Sequence, residues 1–380
     1  MRVLRRPTSR IQMPIKSEPV EVNIGPQHPS THGVFRMVAK IDGERIVDVK
    51  MIVGYLHRSM EKLAEERTFT QNIPFTDRMD YLAAMSGNLG YCLSVEKLAG
   101  IEVPERAQYL RIIFAELQRV ASHCMATGAF INDCGAWQTP VMYAFRDREK
   151  VLDLFEMTCG ARLTTNYMRI GGVAFDIPDE FLPALDRLIN DDLPFRFEEY
   201  DQLLVGNEII MMRARDVGVV TPEMAINASL SGPLLRSAGI AWDLRKADPY
   251  CGYDRMKFDI PVGYNGDAYD RMVIRIEEMK QSLRIIRQAV HDLPGGPHKT
   301  DVPLAIRPPA GEAYSRVESP KGELGFYVVS DGGPAPYRWH VRAPSLINLS
   351  VLREMTIGKS IADAIVTLGS IDINVGELDR

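Results

Sequence analysis

The sequence lacks several features that would place it in common functional classes. No run approaches the ~20 consecutive apolar residues that a membrane-spanning helix needs. The formal net charge is only -5, so no basic excess indicates a nucleic-acid partner. The five cysteines, at positions 92, 124, 134, 159 and 251, show no two-residue spacing. That pattern favours reduced thiols over a disulfide framework or a zinc or iron–sulfur site.

Common catalytic motifs are missing as well. We find no nucleophile elbow, phosphate-binding loop or dinucleotide fingerprint, and Gly171 and Gly172 follow Arg169 without Gly-x-Gly spacing. The composition is otherwise that of a globular protein, with 46% hydrophobic and 25% charged residues in a chain of 380. We therefore expect the chemistry of this chain to be limited to proton donation and positioning.

The stretch 25–33, GPQHPSTHG, is the most informative one present. It holds two of the seven histidines, His28 and His32, with two prolines between and beside them and a glycine at each end. Proline fixes φ and glycine permits sharp reversals, so the stretch cannot be a helix interior. Residues 20–24 and 34–38 beside it are predicted strands. The pattern predicts a stiff hairpin tip that presents imidazoles for proton chemistry or ligand binding, although a structural turn remains the alternative.

Apolar residues at helical spacing predict a helical middle of the chain. The predicted helices span residues 76–98, 105–130, 146–166, 179–204 and 272–290, and a buried strand is predicted at 326–329. These elements predict an α+β fold with a central helical bundle, a small N-terminal antiparallel sheet and C-terminal β segments.

The chain is predicted to divide into four regions. These are an extended basic arm at 1–19, an N-terminal α/β region at 20–75, a helical bundle core at 76–290, and a C-terminal loop and β region at 291–380. Long loops of the last region are expected to converge with the hairpin on a site.

His57 and Arg58 precede a predicted helix at a strand-to-helix transition. An arginine stays charged and presents five donors, so Arg58 is suited to stabilising a neighbouring anion or a reduced cluster. The alternative is a surface ion pair with Glu61 or Glu65, and spacing alone favours that alternative.

Two further residues stand at the start of the 76–98 helix. Asp77 is predicted to cap it, and Tyr81 lies one turn in, where its phenol can point into a cleft. The alternative for Tyr81 is an amphipathic residue at the edge of the core, which is the usual role of tyrosines in such positions.

The 105–130 helix carries polar residues on its buried side. Arg119 and His123 lie one turn apart and form either a polar stripe toward a ligand or, as we favour, a site with a buried, hydrogen-bonded histidine. Asp133 ends the helix, where a carboxylate meets the negative end of the dipole and needs a partner. A histidine is the obvious candidate; the alternative is an Asx turn before Gly135.

Over residues 22–380 the chain resembles the large peripheral-arm subunit, designated D, of NADH-quinone oxidoreductase, which is respiratory complex I. The motifs that carry the resemblance, in order, are GPQHPSTHG, LHRSMEKL, FTDRMDYL, GARLTTNYMRIGGV, DVGVV, SGPLLRSAGIAWDLRK, SLRIIRQ, SPKGELGFYVVSDG and GELDR. The resemblance implies a fold like that of the nickel–iron hydrogenase large subunit.

Hydrogenase relatives hold their metal with two Cys-x-x-Cys pairs. Here the corresponding stretches, 56–59 and 372–375, read LHRS and DINV. Without thiolates we expect no metal or cluster on this chain. The resemblance implies that the old metal cavity takes a quinone headgroup, next to the small partner subunit that carries the terminal iron–sulfur cluster.

The resemblance also implies roles for individual residues. His32 and Tyr81 become the ligands of the quinone headgroup, with His28 in the same loop and Asp133 behind His32. His32, Tyr81 and Asp133 are then the catalytic residues, because each reduced quinone oxygen needs a proton. We further hypothesise that the charge change at His32 and Asp133 starts the coupling to distant proton pumps.

Arg58 and Arg78 match family positions near the partner's cluster, where cations favour its reduced state. Thr164 stands where many family members carry a histidine, so we predict a weaker pH dependence of the cluster's potential. The implied partners are the small iron–sulfur subunit (designated B), the C-type subunit, the ferredoxin-like I-type subunit and the membrane-embedded H-type subunit, with no nucleic acid. The implied location is peripheral, at the cytoplasmic face of the cell membrane.

An alternative hypothesis is that the chain is a non-catalytic docking subunit of a hydrogenase-like membrane complex that uses another acceptor or donor. Retention of His32, Tyr81 and Asp133 together favours the quinone-site reading, because a docking scaffold needs none of them. An active hydrogenase is excluded by the missing cysteine pairs. The choice between ubiquinone and menaquinone stays open, as does the choice of NADH, ferredoxin or deazaflavin as electron donor.

Overall fold

The computed structural model describes residues 18–136, 139–303 and 305–380. The predicted basic arm at 1–19 falls almost entirely outside the described residues. The fold is α+β, as predicted, with a helical centre and small antiparallel sheets. None of the helices in the described ranges is both long enough and apolar enough to span a bilayer.

The helices are α1 Met60–Glu65, α2 Phe69–Met79, α3 Ala84–Ala99, α4 Glu105–Asp133, α5 Thr139–Cys159, α6 Phe181–Arg187, α7 Leu193–Tyr200, α8 Glu208–Ala214, α9 Pro222–Asn227, α10 Gly232–Ser237, α11 Leu244–Ala247, α12 Ala268–His291, α13 Pro344–Leu349, α14 Leu352–Thr356, α15 Ile361–Ile371 and α16 Val375–Asp379. The strands are β1 Val20–Ile24, β2 Arg36–Asp42, β3 Arg45–Ile52, β4 Met168–Arg169, β5 Gly172–Val173, β6 Gly311–Ser319, β7 Gly322–Ser330 and β8 Arg338–Arg342.

The N-terminal sheet has the order β1-β2-β3 with antiparallel pairing throughout. Strand β1 has the predicted bounds, whereas β2 begins at Arg36, two residues later than predicted. Ile24 pairs with Met37 next to the tip, which confirms that residues 25–33 connect two antiparallel strands. A Cβ on Gly25 would lie 2.2 Å from the carbonyl oxygen of Phe35, so only glycine fits where the loop leaves the sheet.

The centre of the fold is the long helix α4, which packs between α5 and α12. It is buried on almost every side, so its polar residues need partners within the protein. Glu116 pairs with Arg245 at 3.0 Å, and His123 Nε2 lies 2.8 Å from Glu278. These pairs explain how charged side chains are accommodated in a helix with no exposed face.

The prediction of a single helix over residues 76–98 is wrong, because the chain forms two helices, α2 and α3, in this region. Thr68 begins α2 with a capping box to Gln71, so this helix starts earlier than its apolar spacing indicates. It ends at Asp80, whose ψ of 87° is not helical. The predicted cap at Asp77 is also wrong, since Asp77 lies buried in the last turn of α2. Tyr81 therefore sits in a non-helical break before α3.

The other predicted helices are confirmed with shifted ends. The 105–130 helix is α4, and the 272–290 helix is α12. The 146–166 helix is α5, which ends at Cys159 because Gly160 adopts a φ of +71°. The 179–204 region is helical through α6 and α7, with wider π turns at Leu188–Asp192 and Asp201–Val205.

The C-terminal sheet has the order β6-β7-β8, and the predicted strand at 326–329 lies within β7. The ring centroid of Phe326 in β7 lies 6.0 Å from those of Trp339 in β8 and Tyr91 in α3, and the last two lie 5.6 Å apart. A second core joins the N-terminal sheet to the helices of the last 35 residues of the chain, through Met37, Ile46 and Leu368. This core brings the hairpin tip against α15. The predicted divisions at residues 75 and 290 remain predictions.

Candidate functional site

The loop between β1 and β2 directs His32 into the protein. Pro29–Thr31 form one 3-10 turn, and His28 Nδ1 accepts a hydrogen bond from the backbone of Ser30 at 3.2 Å. Thr31 is buried and donates its hydroxyl proton to the carbonyl of His28 at 2.7 Å. His32 ends the turn in the left-handed conformation, with a φ of 51°. The turn thus fixes where the imidazole of His32 lies, while His28 is exposed.

His32 meets the end of the central helix. Its Nε2 lies 2.7 Å from the Asp133 carboxylate, and both side chains are largely buried, at 15% and 7% exposure. The prediction that Asp133 has a histidine partner is confirmed. A Cβ on Gly369 of α15 would lie 2.2 Å from that carboxylate and 3.3 Å from the imidazole. Glycine at this position therefore permits the contact.

The pKa of His32 is raised from its ordinary value of 6.5. Burial alone would lower it, because the charged ring loses water, but the hydrogen bond and charge of Asp133 outweigh this effect. Asp372 adds to the increase, and Arg275 opposes it. The arrangement favours an imidazolium that is ready to give up a proton near neutral pH.

Tyr81 approaches the same region from the break between α2 and α3. It is partly buried, and burial followed by the charge of Asp80 raises the pKa of its phenol, while Lys321 lowers it. Asp372 also acts on Tyr81, as it does on His32, so the two side chains share an electrostatic neighbourhood. At neutral pH Tyr81 keeps its proton and can donate it.

Sequence reasoning missed the charged residues behind Tyr81. Lys321 Nζ lies 3.1 Å from Asp80 and 3.9 Å from Asp372, and its side chain is 1% exposed. Asn374 donates a hydrogen bond to Asp80 at 2.8 Å. The only local signal was Lys321 in a Pro-Lys-Gly turn, which is normally a solvated position.

His57 and Arg58 lie in the loop between β3 and α1, as predicted. The Asp379 carboxylate accepts hydrogen bonds from the backbone of Gly54 and Leu56, both at 2.7 Å, and His57 Nδ1 lies 2.8 Å from the Asp379 carbonyl. The C-terminal helix α16 therefore holds this loop. Arg58 is exposed.

The ion pair with Glu61 or Glu65, which spacing alone favoured for Arg58, is not what the structure shows. Glu61 and Glu65 instead pair with Arg338, at 3.6 and 3.0 Å. Arg58 thus stays exposed at the surface.

Arg78 is half exposed at the end of α2. It donates to the carbonyl of Pro74 at 3.0 Å and to Asp77 at 3.3 Å. Burial raises the pKa of Asp77 to about 6, against its hydrogen bond with Asn88 and the charge of Arg78. The backbone of Asn166 also bonds to Asp77, which connects this corner to the segment that carries Thr164.

The interpretation of Arg119 and His123 as a polar stripe toward a ligand is wrong. The alternative, that His123 is buried and hydrogen-bonded, is confirmed. His123 is fully buried against Glu278, and burial lowers its pKa despite that partner. Arg119 donates to the carbonyl of Glu318. The two side chains thus belong to the packing of α4 and not to an exposed site.

Comparison with known proteins identifies the chain as a subunit of an oxidoreductase complex. The family model described as "Respiratory-chain NADH dehydrogenase, 49 Kd subunit" matches residues 133–308 and 298–380. A D-type NADH-quinone oxidoreductase subunit from Dehalococcoides mccartyi is 57% identical over 97% of this chain and 100% of its own length. D-type subunits from a Roseiflexus species and from Clostridium beijerinckii are each 53% identical over 96% of this chain, covering 100% and 98% of their lengths. The chain belongs to the family of D-type NADH-quinone oxidoreductase subunits, the 49-kDa subunit of respiratory complex I.

Proposed function

We propose that this chain forms the quinone headgroup site of its complex and supplies protons for quinone reduction. The observation that carries the proposal is the largely buried His32–Asp133 pair, at 2.7 Å, in one electrostatic neighbourhood with the protonated phenol of Tyr81. Two groups that can each donate a proton suit a planar substrate with a carbonyl at either end.

Reduction of the quinone by two electrons makes both oxygens basic. The imidazolium of His32 gives its Nδ1 proton to one oxygen, since Nε2 is bound to Asp133, and Tyr81 gives its hydroxyl proton to the other. Asp133 stabilises the imidazolium before transfer and holds the ring in place. The donors are already oriented by the loop and by the helix break, so little reorganisation is needed as charge develops.

The electrons come from the terminal iron–sulfur cluster of the small partner subunit, because this chain is expected to bind none. Among the described residues, no group of three His, Cys, Asp or Glu side chains is placed to hold a metal ion. The exposed Arg58 and the half-exposed Arg78 face outward and are suited to lie near the partner's cluster. We place the chain in the peripheral arm, at the cytoplasmic face of the membrane. Its neighbours there are the small iron–sulfur subunit and the C-type, I-type and H-type subunits.

The residue at position 164 is expected to set the pH dependence of the partner's cluster. Thr164 offers a neutral hydroxyl, so the midpoint potential should change little with pH, whereas Thr164→His should produce a slope approaching about 59 mV per pH unit. Redox titration of the assembled complex at several pH values measures this. Asp77→Asn is the matched control, because Asp77 titrates at about 6 beside the same segment. A steep slope in the native complex would refute the prediction, and its loss in Asp77→Asn would assign it to Asp77.

Photolabelling tests the proposed function directly. A photoreactive quinone analogue added to the assembled complex should label peptides containing His32 or Tyr81, and excess unreactive quinone should prevent the labelling. The reason is that a headgroup held by these two side chains lies within bonding distance of both segments. Labelling confined to another subunit would instead favour the docking role.

A further inference from the structure

Behind Tyr81 lies a cluster of buried ionisable side chains that the proposed proton transfers do not use. Its members are Asp80, Lys321, Asp372 and Glu377, and each side chain is at most 8% exposed. They come from four places in the chain: the end of α2, the β6–β7 turn, the end of α15, and α16. Such a group is costly to bury unless its charges balance.

The charges of the cluster do not balance if every member is ionised. Three carboxyl groups share one ammonium, and a further cation, Arg275, acts on Asp372 and donates to the carbonyl of Ser370 at 2.7 Å. Lys321 lies 3.1 Å from Asp80 and 3.9 Å from Asp372, so it forms ion pairs with these two carboxylates. In the part of the chain that the structure describes, no cation lies within ion-pair distance of Glu377.

The contacts of Glu377 fit a carboxyl group that keeps a proton. One oxygen accepts from the hydroxyl and the backbone of Ser345, while Oε1 is buried with no hydrogen-bond partner among the described residues. Burial, followed by the charge of Asp80, raises the pKa of Glu377 to about 8, against the contact with Ser345 and the charge of Lys321. A buried carboxyl group without a cation partner favours its neutral form.

We propose that Glu377 stores one proton and returns it to Tyr81 after each quinone reduction, a role that rests on the proposed function. When Tyr81 has given its hydroxyl proton to a quinone oxygen, a phenolate remains beside Asp80 in the chain. The O–H bond of Glu377 breaks, and the O–H bond of Tyr81 forms again. The charge of Lys321 stabilises the Glu377 carboxylate that remains, and a proton from solvent restores its O–H bond. The electrons that reduce the quinone come from the partner's cluster.

Glu377→Gln in the assembled complex tests this role, since glutamine keeps the shape but cannot store a proton. Quinol formation in the first turnover should be unchanged, because Tyr81 starts protonated. The steady-state rate should fall about tenfold, less than the 10²–10⁴ that loss of a direct acid costs. The redox-induced infrared difference spectrum should lose a protonated-carboxyl signal. Glu323→Gln is the control, because Glu323 lies near Lys321 in the β6–β7 hairpin but pairs with Arg316 and Arg342.

The charge on Lys321 gives a second test if Glu377→Gln assembles poorly. Lys321→Arg keeps the cation and should keep the steady-state rate, whereas Lys321→Met should slow turnover and move the titration of the infrared signal to higher pH. Equal losses in the first turnover and the steady state, or a carboxyl signal that survives in Glu377→Gln, would overturn the inference. Neither result would affect the photolabelling, so failure of this role and failure of the quinone site are distinguishable.

Discussion

Replacing Tyr81 with phenylalanine is expected to reduce quinone turnover by about 10²- to 10⁴-fold, the range that loss of a general acid costs. The ring would still occupy the break between α2 and α3, so the fold should be kept. What is lost is the only proton that the phenol can give to the quinone. The measurement is quinone reduction by the assembled complex, beside electron entry to an artificial acceptor, which should remain intact.

A matched tyrosine separates this effect from a general loss of stability. Tyr314 of β6 is also partly exposed, and burial also raises the pKa of its phenol, but its hydroxyl contacts Glu323. Tyr314→Phe should leave both activities unchanged. Unchanged quinone turnover in Tyr81→Phe, or equal loss with both acceptors, would remove Tyr81 from the proposed mechanism.

Local patterns predicted the elements whose residues interact mainly within the element or with neighbours in sequence. The hairpin around 25–33 follows from two β-rich runs and the turn residues between them, and it was placed correctly. Helices α4 and α12 follow from regular apolar spacing. A histidine partner for Asp133 was also predicted, because a carboxylate at a helix C-terminus needs a compensating partner, and the family resemblance implied that this partner is His32.

Contacts between distant parts of the chain explain what the sequence did not reveal. The helix ends at Asp80 where its carboxylate meets Lys321 and Asn374, which lie more than 240 residues away. Lys321 looks like an exposed turn residue until those carboxylates are placed around it. The importance of Gly369 was not predicted either. Only the approach of His32 and Asp133 in the folded chain shows why a side chain is excluded at this position.

The stretches 56–59 and 372–375 also acquire their structural roles through distant contacts. The loop with His57 and Arg58 is held by backbone hydrogen bonds to the carboxylate of Asp379. The stretch at 372–375 supplies Asp372 and Asn374, which contact Lys321 and Asp80. The first stretch is therefore fixed against α16, and the second contributes to the buried charges next to Asp80.

Replacing Asp133 with asparagine is expected to lower the pH above which quinone reduction is lost, relative to the native complex. The pKa of His32 is raised, so its imidazolium is present below that pKa and is lost as the pH rises through it. Asparagine removes the carboxylate charge but leaves burial and Arg275, which both lower the pKa of His32. The alkaline limb of the pH profile should therefore move to lower pH. The profile of kcat/KM for quinone measures this shift.

The same substitution should have little effect on the rate at acidic pH. Near neutral pH the rate is expected to fall about 10- to 100-fold, because each unit by which the pKa of His32 falls lowers the imidazolium fraction tenfold. A purely structural defect would lower the rate equally at every pH. Asp292→Asn provides the matched control, because Asp292 lies 2.7 Å from His291 in an exposed pair at the end of α12. That variant should leave the profile unchanged. A uniform loss in Asp133→Asn, with no movement of the alkaline limb, would mean that Asp133 holds the loop in place without setting the charge of His32.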